Sequence, residues 1–508
     1  MASFEALQAL AEVVAKNKVK HIQVIGNPDS KSTKFEAFYE ALASGQVQSD
    51  EVAAQCFYQS APDHAAYRKL KTRLQERLVN TLFFIDLNQS NFNDYTRAYY
   101  NCYKMAAATR ILIGRSARSA ATPLAEKTLE IALQFDITDV AFLMAKELRM
   151  HYGTMRSAKD KYERINLILQ EQTNILMAEL KAEQYLNDLR VDFINTNAAK
   201  PEFAAKAQEY SEELFELSKS IHSYRFNYMA YAIRALRYEV AGDYRNMLPV
   251  CQEALAYFLD KQQIVPNAVL FSFFIRAVVC LIQLERYSEA RNYIPKCLEV
   301  VKEGIHNWFL ALNYHMILAF YSGNFQEAYE IGKKAIDHPK LKNQNEQTNE
   351  QWHIHEAYLY YLISIGKISP DENNPVKKFR LGKFINEVPL YKKDKRGANV
   401  SILILQILFL LQQKRYDVII DRIESLKAYT QRYLRNDDTF RSSCFIRMLL
   451  VMAESSFNKK ATIRKAEKYW EKLREKPINI AEQSAEIEIV PYEMLWEFVL
   501  ESLDEKWY

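Results

Sequence analysis

His353, His355 and Glu356, in "WHIHEAYLYY", are the densest group of side chains able to hold a metal or move a proton. Their spacing argues against that use. In a helix, residues two apart point about 200° from one another, so His353 and His355 cannot close on one ion. His353 and Glu356 share a face, but two ligands do not make a zinc site. The six cysteines (Cys56, Cys102, Cys251, Cys280, Cys297, Cys444) are scattered, with no CxxC pair. No metal site and no disulfide framework are expected, and the cysteine usage fits a reducing compartment.

"VIGNPDSKST" (24–33) carries one glycine ahead of Ser-Lys-Ser-Thr, where a loop leading into a helix N-terminus could hold an anion. A phosphate loop needs a second glycine for its amides to wrap a phosphate, and neither GxxxxGK[ST] nor GxGxxG occurs. A structural turn is expected instead. No nucleophile elbow, HExxH or Ser/His/Asp grouping appears. The sequence gives no positive sign of catalysis, and a non-enzyme without a cofactor is expected.

Basic residues cluster twice. Lys69, Arg73 and Arg77 share one face of a helix that also carries Arg68 and Lys71. The functional reading is the recognition helix of a helix-turn-helix-like module. The ordinary reading is a charged solvent face, and residues 1–90 balance at ten basic and ten acidic side chains. The second cluster, "VKKFRLGKFINEVPLYKKDKRG" (376–397), holds eight basic and two acidic residues with Phe379, Phe384 and Tyr391 among them. On a groove, its Lys392 and Lys393 could meet an acidic peptide tail, or nucleic acid through phosphate contacts and stacking. In a loop, the same run only solubilises.

The elements that must position any such site read as helices. The chain has 508 residues, 49% of them apolar, with only 11 glycines and 13 prolines. Few turn-formers over such a length favour long helices and short connections. A net charge of +4 from 67 basic and 63 acidic residues sets up no global field toward nucleic acid or membrane. The amphipathic N-terminus, broken by Glu5 and Glu12, is not a signal peptide. The greasiest run, "VSILILQILFLL" (400–411), stops at "QQKR", short of the roughly 18 residues a spanning helix needs. It reads as a buried core helix, and the chain as cytoplasmic.

Four segments follow: a mostly helical module at 1–90, helical hairpins at 91–220, a repeat region at 221–475 and a capping helix at 476–508. "HIQVIGNP" (21–28) is the one stretch that reads as a short strand. "STKFEAFYEALASG" reads as a short helix capped by Ser32 or Thr33 and ended by Gly45. Leu70, Leu74, Leu78 and Leu82 stripe a longer helix.

In the repeat region four phrases align on an aromatic: "AGDYRNMLPVCQEAL", "LERYSEARNYIPKCL", "YSGNFQEAYEIGKKAI" and "QKRYDVIIDRIESLK", at Tyr244, Tyr287, Phe325 and Tyr416. The intervals are 43, 38 and 91 residues, the last with room for one more unit. Offsets of three, seven and ten place Ala290, Ala328, Cys251, Gly332, Ala254, Cys297 and Ala335 on one helical face, letting a second helix approach closely. Phe457, 41 residues beyond Tyr416, marks a weaker copy. These phrases resemble the tetratricopeptide repeat (TPR) family, whose pattern sets Gly-x-Tyr/Phe at the turn into the second helix and alanines three and ten residues on. "GDY…EAL" and "GNFQEA…KKAI" match it; "RYSEA" lacks the glycine, and the spacings exceed the family's 34 residues. Taken whole, the chain also resembles uncharacterised bacterial TPR-like proteins, a likeness that implies no activity.

The resemblance implies an all-α fold: an α-α superhelix, a TPR-like solenoid of helical hairpins, behind a small N-terminal helical module. It also implies a scaffold that holds a protein or peptide in its groove, with no membrane partner. Anchors are expected on the first helices of the repeats, at Tyr228, Tyr231, Arg276, Asn313 and Tyr358. The alternative is a regulator whose residues 30–86 contact nucleic acid while the solenoid senses a peptide or ligand.

Overall fold

The computed structural model describes Phe4 and residues 34–88, 92–154, 158–195, 200–370, 379–386, 398–423, 440–476 and 488–503. The expected strand at 21–28, the loop at 24–33, Tyr391, Lys392 and Lys393 lie outside them. Among the described residues there is no β-strand, and helices pack on their neighbours in chain order. The protein is an all-α helical-repeat array with a small N-terminal helical module. It divides into two compact units, Met1–Met177 and Ala178–Tyr508.

Unit 1 opens with α1 (Lys34–Ala43), α2 (Asp50–Tyr58) and α3 (Ala65–Leu82), each in contact with the other two. Gly45 closes α1 at φ 73°, and the Ser49 side chain caps α2 by accepting from the Val52 amide at 3.3 Å. Leu70, Leu74 and Leu78 are buried, as their stripe requires, and pack with Phe38 and Tyr67. A second core joins α4 (Asp94–Gly114), α5 (Arg118–Gln134), α6 (Thr138–Gly153) and the start of α7 (Lys159–Asn195). Its centre is small: Ala98, Cys102, Ala125, Ala132, Ala141 and Ala145.

Unit 2 takes up the rest of α7 and continues with α8 (Lys200–Ser218), α9 (Tyr224–Val240), α10 (Tyr244–Asp260), α11 (Asn267–Gln283), α12 (Tyr287–Glu299), α13 (His306–Tyr321) and α14 (Phe325–Ile336). After these come α15 (Glu346–Ser364), the short α16 (Leu381–Asn386) and α17 (Ala398–Gln412). A helix begins at residue 416 and is described to 423; α18 (Phe440–Glu454), α19 (Lys459–Glu475) and α20 (Tyr492–Ser502) follow. Each helix from α8 to α15 packs on the next, and the first helices α11 and α13 also meet. The apolar run 400–411 is α17, enclosed on nearly every side. None of the described helices is long and apolar enough to cross a membrane.

The aligned aromatics open second helices: Tyr244, Tyr287, Phe325 and Tyr416 are each the first helical residue after a turn. Two positions earlier stands a left-handed residue in every case: Gly242 (φ 67°), Glu285 (57°), Gly323 (71°) and Lys414 (55°). The next amide then bonds to the carbonyl five residues back: Asp243 to Tyr238, Arg286 to Leu281, Asn324 to Ala319 and Arg415 to Leu410, at 2.8–3.0 Å. This is the Schellman closure of a helix end. It recurs at Gly366 and Ser456, and in unit 1 at Ser116 and Asp136. "RYSEA" therefore lacks the glycine but keeps the turn, with Glu285 forced into the glycine conformation. Tyr416 and Phe457, from successive hairpins, stack at 4.2 Å.

The small residues do what their spacing requires. Ala254, Ala290, Ala328, Ala335, Cys251 and Cys297 are fully buried. At Gly332 a Cβ would stand 2.4 Å from Leu359 Cδ1, so a larger residue there must displace the Leu359 side chain. A side chain other than glycine in the left-handed region costs roughly 1 kcal/mol. Glu285→Gly should therefore raise the stability of unit 2 by about 1 kcal/mol, and Gly323→Ala lower it by about as much. Denaturant titration of the two variants beside the parent chain checks both signs.

Candidate functional site

Three of the five expected anchors come together on the first helices α9 and α11. Tyr228 and Tyr231 stand one turn apart on α9, and both turn ring edges to Phe273 of α11, at 6.1 and 6.3 Å. Tyr231 also meets Phe258 edge-on at 6.0 Å, and burial raises its hydroxyl above the usual tyrosine value. Phe258 and Phe273 stack beneath them at 5.7 Å. The rings are thus held rigidly, with their outer parts still open to solvent.

Arg276 lies on α11 beside them. Its Nη1 donates to the Ser272 carbonyl at 3.1 Å, the usual one-turn contact. Glu239, at the end of α9, places Oε2 3.6 Å from Arg276 Nε, too far for a hydrogen bond. That Nε has no hydrogen-bond partner among the described residues. Arg276 and Glu239 keep 27% and 29% of their side-chain surface in contact with solvent, so a partner can reach both. Tyr314 of α13 completes the group. Burial pushes its hydroxyl up to about 12, with Glu239 reinforcing and Arg276 opposing the shift. The face therefore offers a part-exposed guanidinium, a carboxylate beside it, and half-buried tyrosines nearby. Such a set recognises peptide carbonyls and carboxylates and packs on apolar side chains.

Asn313 and Tyr358 do not belong to this face. Both are enclosed, at 4% and 0% exposure, and serve the packing of α13 against α15. Asn313 Oδ1 accepts from His355 Nε2 at 2.6 Å across that interface. The phase of α13 explains the displacement: the residue after Asn313, Tyr314, is the half-buried one that lies near Arg276 and Glu239. The helical spacing was visible in the sequence, but the direction of the array's inner face was not.

The basic residues of α3 divide by contact. Lys71 is tied to Asp50 at 2.7 Å, and Tyr67 donates to the same carboxylate at 2.5 Å. Arg77 lies 4.7 Å over the Phe35 ring while remaining exposed, and Lys69 and Arg73 are exposed. In the second basic cluster, Phe379 and Phe384 are buried against each other and against Phe409, and Phe379 against Tyr360 as well. They form core and cannot act as a stacking platform. His353 and Glu356 approach to 3.5 Å at the surface, whereas His355 points into the core, the opposite orientations their spacing dictates. Among the described residues no group of three or more His, Cys, Asp or Glu is placed to hold a metal ion.

Burial pushes the His355 imidazole down to about 3, and its Nδ1 has no hydrogen-bond partner among the described residues. The folded state therefore holds this ring neutral where the unfolded chain, near 6.5, takes up a proton. Stability contributed by the neutral ring is present above pH 6.5 and drains away as pH falls toward 3. His355→Gln keeps a donor for Asn313 and cannot titrate. Between pH 6 and 4 the parent should lose about 1.4 kcal/mol per pH unit more than this variant, read from denaturant midpoints across the range.

Comparison of the chain with protein-family models, with curated proteins and with solved structures gives no match, so the reading of the site rests on its geometry.

Proposed function

We propose that the protein is a non-catalytic, TPR-like scaffold that binds a protein or peptide on the first-helix face of unit 2. The observation that carries this reading is the Arg276–Glu239 pair with Tyr228, Tyr231 and Tyr314 around it. The pair is loose and part-exposed, so a partner's carboxylate or main-chain carbonyl can compete with Glu239 for the guanidinium. The tyrosines add large contact area at little conformational cost, because their rings are already packed on Phe258 and Phe273. Stacked helical hairpins hold such a face rigid, which lowers the ordering cost of binding.

The test is position-specific photo-crosslinking in cells, with the photoreactive residue at Tyr228 or Tyr314 and, for comparison, at Lys69 or Arg73. Capture of the same partner from Tyr228 and Tyr314, reduced about tenfold or more by Arg276→Glu, is the expected result. Nucleic acid captured from Lys69 and Arg73, with nothing from the tyrosines, would place the working surface on α3 and overturn the proposal.

A further inference from the structure

Residues 488–503 pack where chain order does not put them. α19 ends at Glu475, yet Glu488 lies against both α13 and α18: Tyr321 donates to its carbonyl at 3.0 Å, across 167 residues of sequence, and Arg441 holds its carboxylate. Tyr492 then stacks on Phe445 of α18 at 4.5 Å, with ring planes 6° apart, and its hydroxyl meets Ser442 at 2.7 Å. Further along, Phe498 meets Phe325 of α14 edge-on at 5.8 Å. Lys367, in the turn after α15, lies 4.9 Å over the Phe498 ring and pairs with Glu501 at 3.0 Å. α20 also packs along α17 and α18.

The segment has the form of a bound helical peptide. A bent head, Glu488-Ile489-Val490-Pro491, is buried throughout. In the helix that follows, Tyr492, Leu495, Trp496 and Val499 point inward at i, i+3, i+4 and i+7, while Glu497 and Glu501 face solvent. Arg441 supplies the selective contact. Its Nε and Nη2 donate to the two Glu488 oxygens at 2.9 Å, and Nη2 also reaches Glu493 at 2.7 Å. Glu488 in turn accepts from the Tyr492 amide at 2.8 Å, capping a helix whose own N-cap, Pro491, has no acceptor side chain.

We propose that residues 488–503 are a tethered ligand, and that their seat accepts in trans a helix of the same chemistry. That helix is amphipathic, led by a carboxylate, with aromatic or branched anchors at i, i+3, i+4 and i+7. The seat cannot simply stand empty. Arg441 is buried, both its carboxylate partners come from this region of the chain, and a buried cation stripped of its counter-charges is strongly disfavoured. Leaving is therefore coupled to the arrival of another carboxylate-bearing helix. The eleven residues 477–487 tether the segment, and a short tether gives it a millimolar effective concentration that any competitor must exceed. The proposal rests on the reading of unit 2 as a partner-binding scaffold, and gives that scaffold a second seat that its own chain keeps closed.

The test uses the full chain with a specific protease site placed between Lys476 and Glu488. After cleavage, a fluorescein-labelled peptide of residues 488–503 is added in excess and followed by anisotropy, with circular dichroism to monitor folding. The cut chain should stay folded and exchange its segment for the labelled peptide. The peptide should bind the uncut chain about a hundredfold or more weakly, the difference being the tether. A peptide carrying Glu488→Gln and Glu493→Gln should bind the cut chain about tenfold or more weakly than the parent peptide, and one carrying Glu497→Gln should match it. A cut chain that retains its own segment through days of excess peptide, or that unfolds as the segment leaves, overturns the proposal, because either makes α20 a fixed part of the core. That failure would leave the crosslinking at Tyr228 and Tyr314 untouched, whereas failed crosslinking with successful exchange would remove the scaffold reading of that face alone.

Discussion

A helical hairpin can bury the face between its own two helices, but the faces on either side stay wet until a neighbour covers them. The rest of unit 2 follows from meeting that need at close range. Helices approach tightly only where side chains are small, hence the fully buried Ala254, Ala290, Ala328 and Ala335, and the glycine at 332, where a Cβ would meet the Leu359 side chain. Each hairpin must also reverse direction within a few residues. The left-handed closure at Gly242, Glu285, Gly323 and Lys414 does this while satisfying carbonyls at the helix end that would otherwise lack donors. The aromatic that follows can tie one hairpin to the next, as Tyr416 does by stacking on Phe457.

A row of hairpins has an end, and the end is where the covering rule fails. There α20 lies along α17 and α18, and its head reaches α13. The contact is made with a buried charge network, which is an expensive way to cover apolar surface. Burial pushes the Glu488 carboxyl up, while Arg441 and the Tyr492 amide hold it down. Arg441 also donates to the Leu473 and Lys476 carbonyls at 2.7 Å, so the same side chain fixes the end of α19. Apolar packing alone would slide or rotate at modest cost; this network has one register. It explains how a helix joined by residues 477–487 finds a single position.

The repeat phrases made the second helices legible, because an aromatic at the first helical position and small residues three, seven and ten later are direct consequences of the turn and of close packing. In unit 1 the same turns were hidden. Their left-handed positions are Ser116 and Asp136, and nothing in the side-chain types marks a conformation that glycine would have announced. The destination of residues 488–503 was not legible: a contact across 167 residues leaves no periodic trace. The candidate site was half legible. Spacing located the first helices, and Tyr228, Tyr231 and Arg276 lie together on the face proposed for a partner. It could not fix the helical phase on α13 and α15, and so named the core residues Asn313 and Tyr358 where Tyr314 is the one near Arg276 and Glu239.

Two of the arginines of unit 2 that meet carboxylates across helices, Arg441 and Arg276, separate what the fold needs from what the face offers. Arg441 is enclosed, fully bonded and paired at 2.7–2.9 Å, so its loss would strand two carboxylates and open two helix ends. Arg276 makes one bond to its own helix and faces Glu239 at 3.6 Å with water at hand, a pair of the kind that contributes about 1 kcal/mol or less to stability. Packing does not account for a guanidinium held in that state. On the proposed reading, that loosely paired guanidinium, set near packed rings, exchanges Glu239 for a partner's carboxylate.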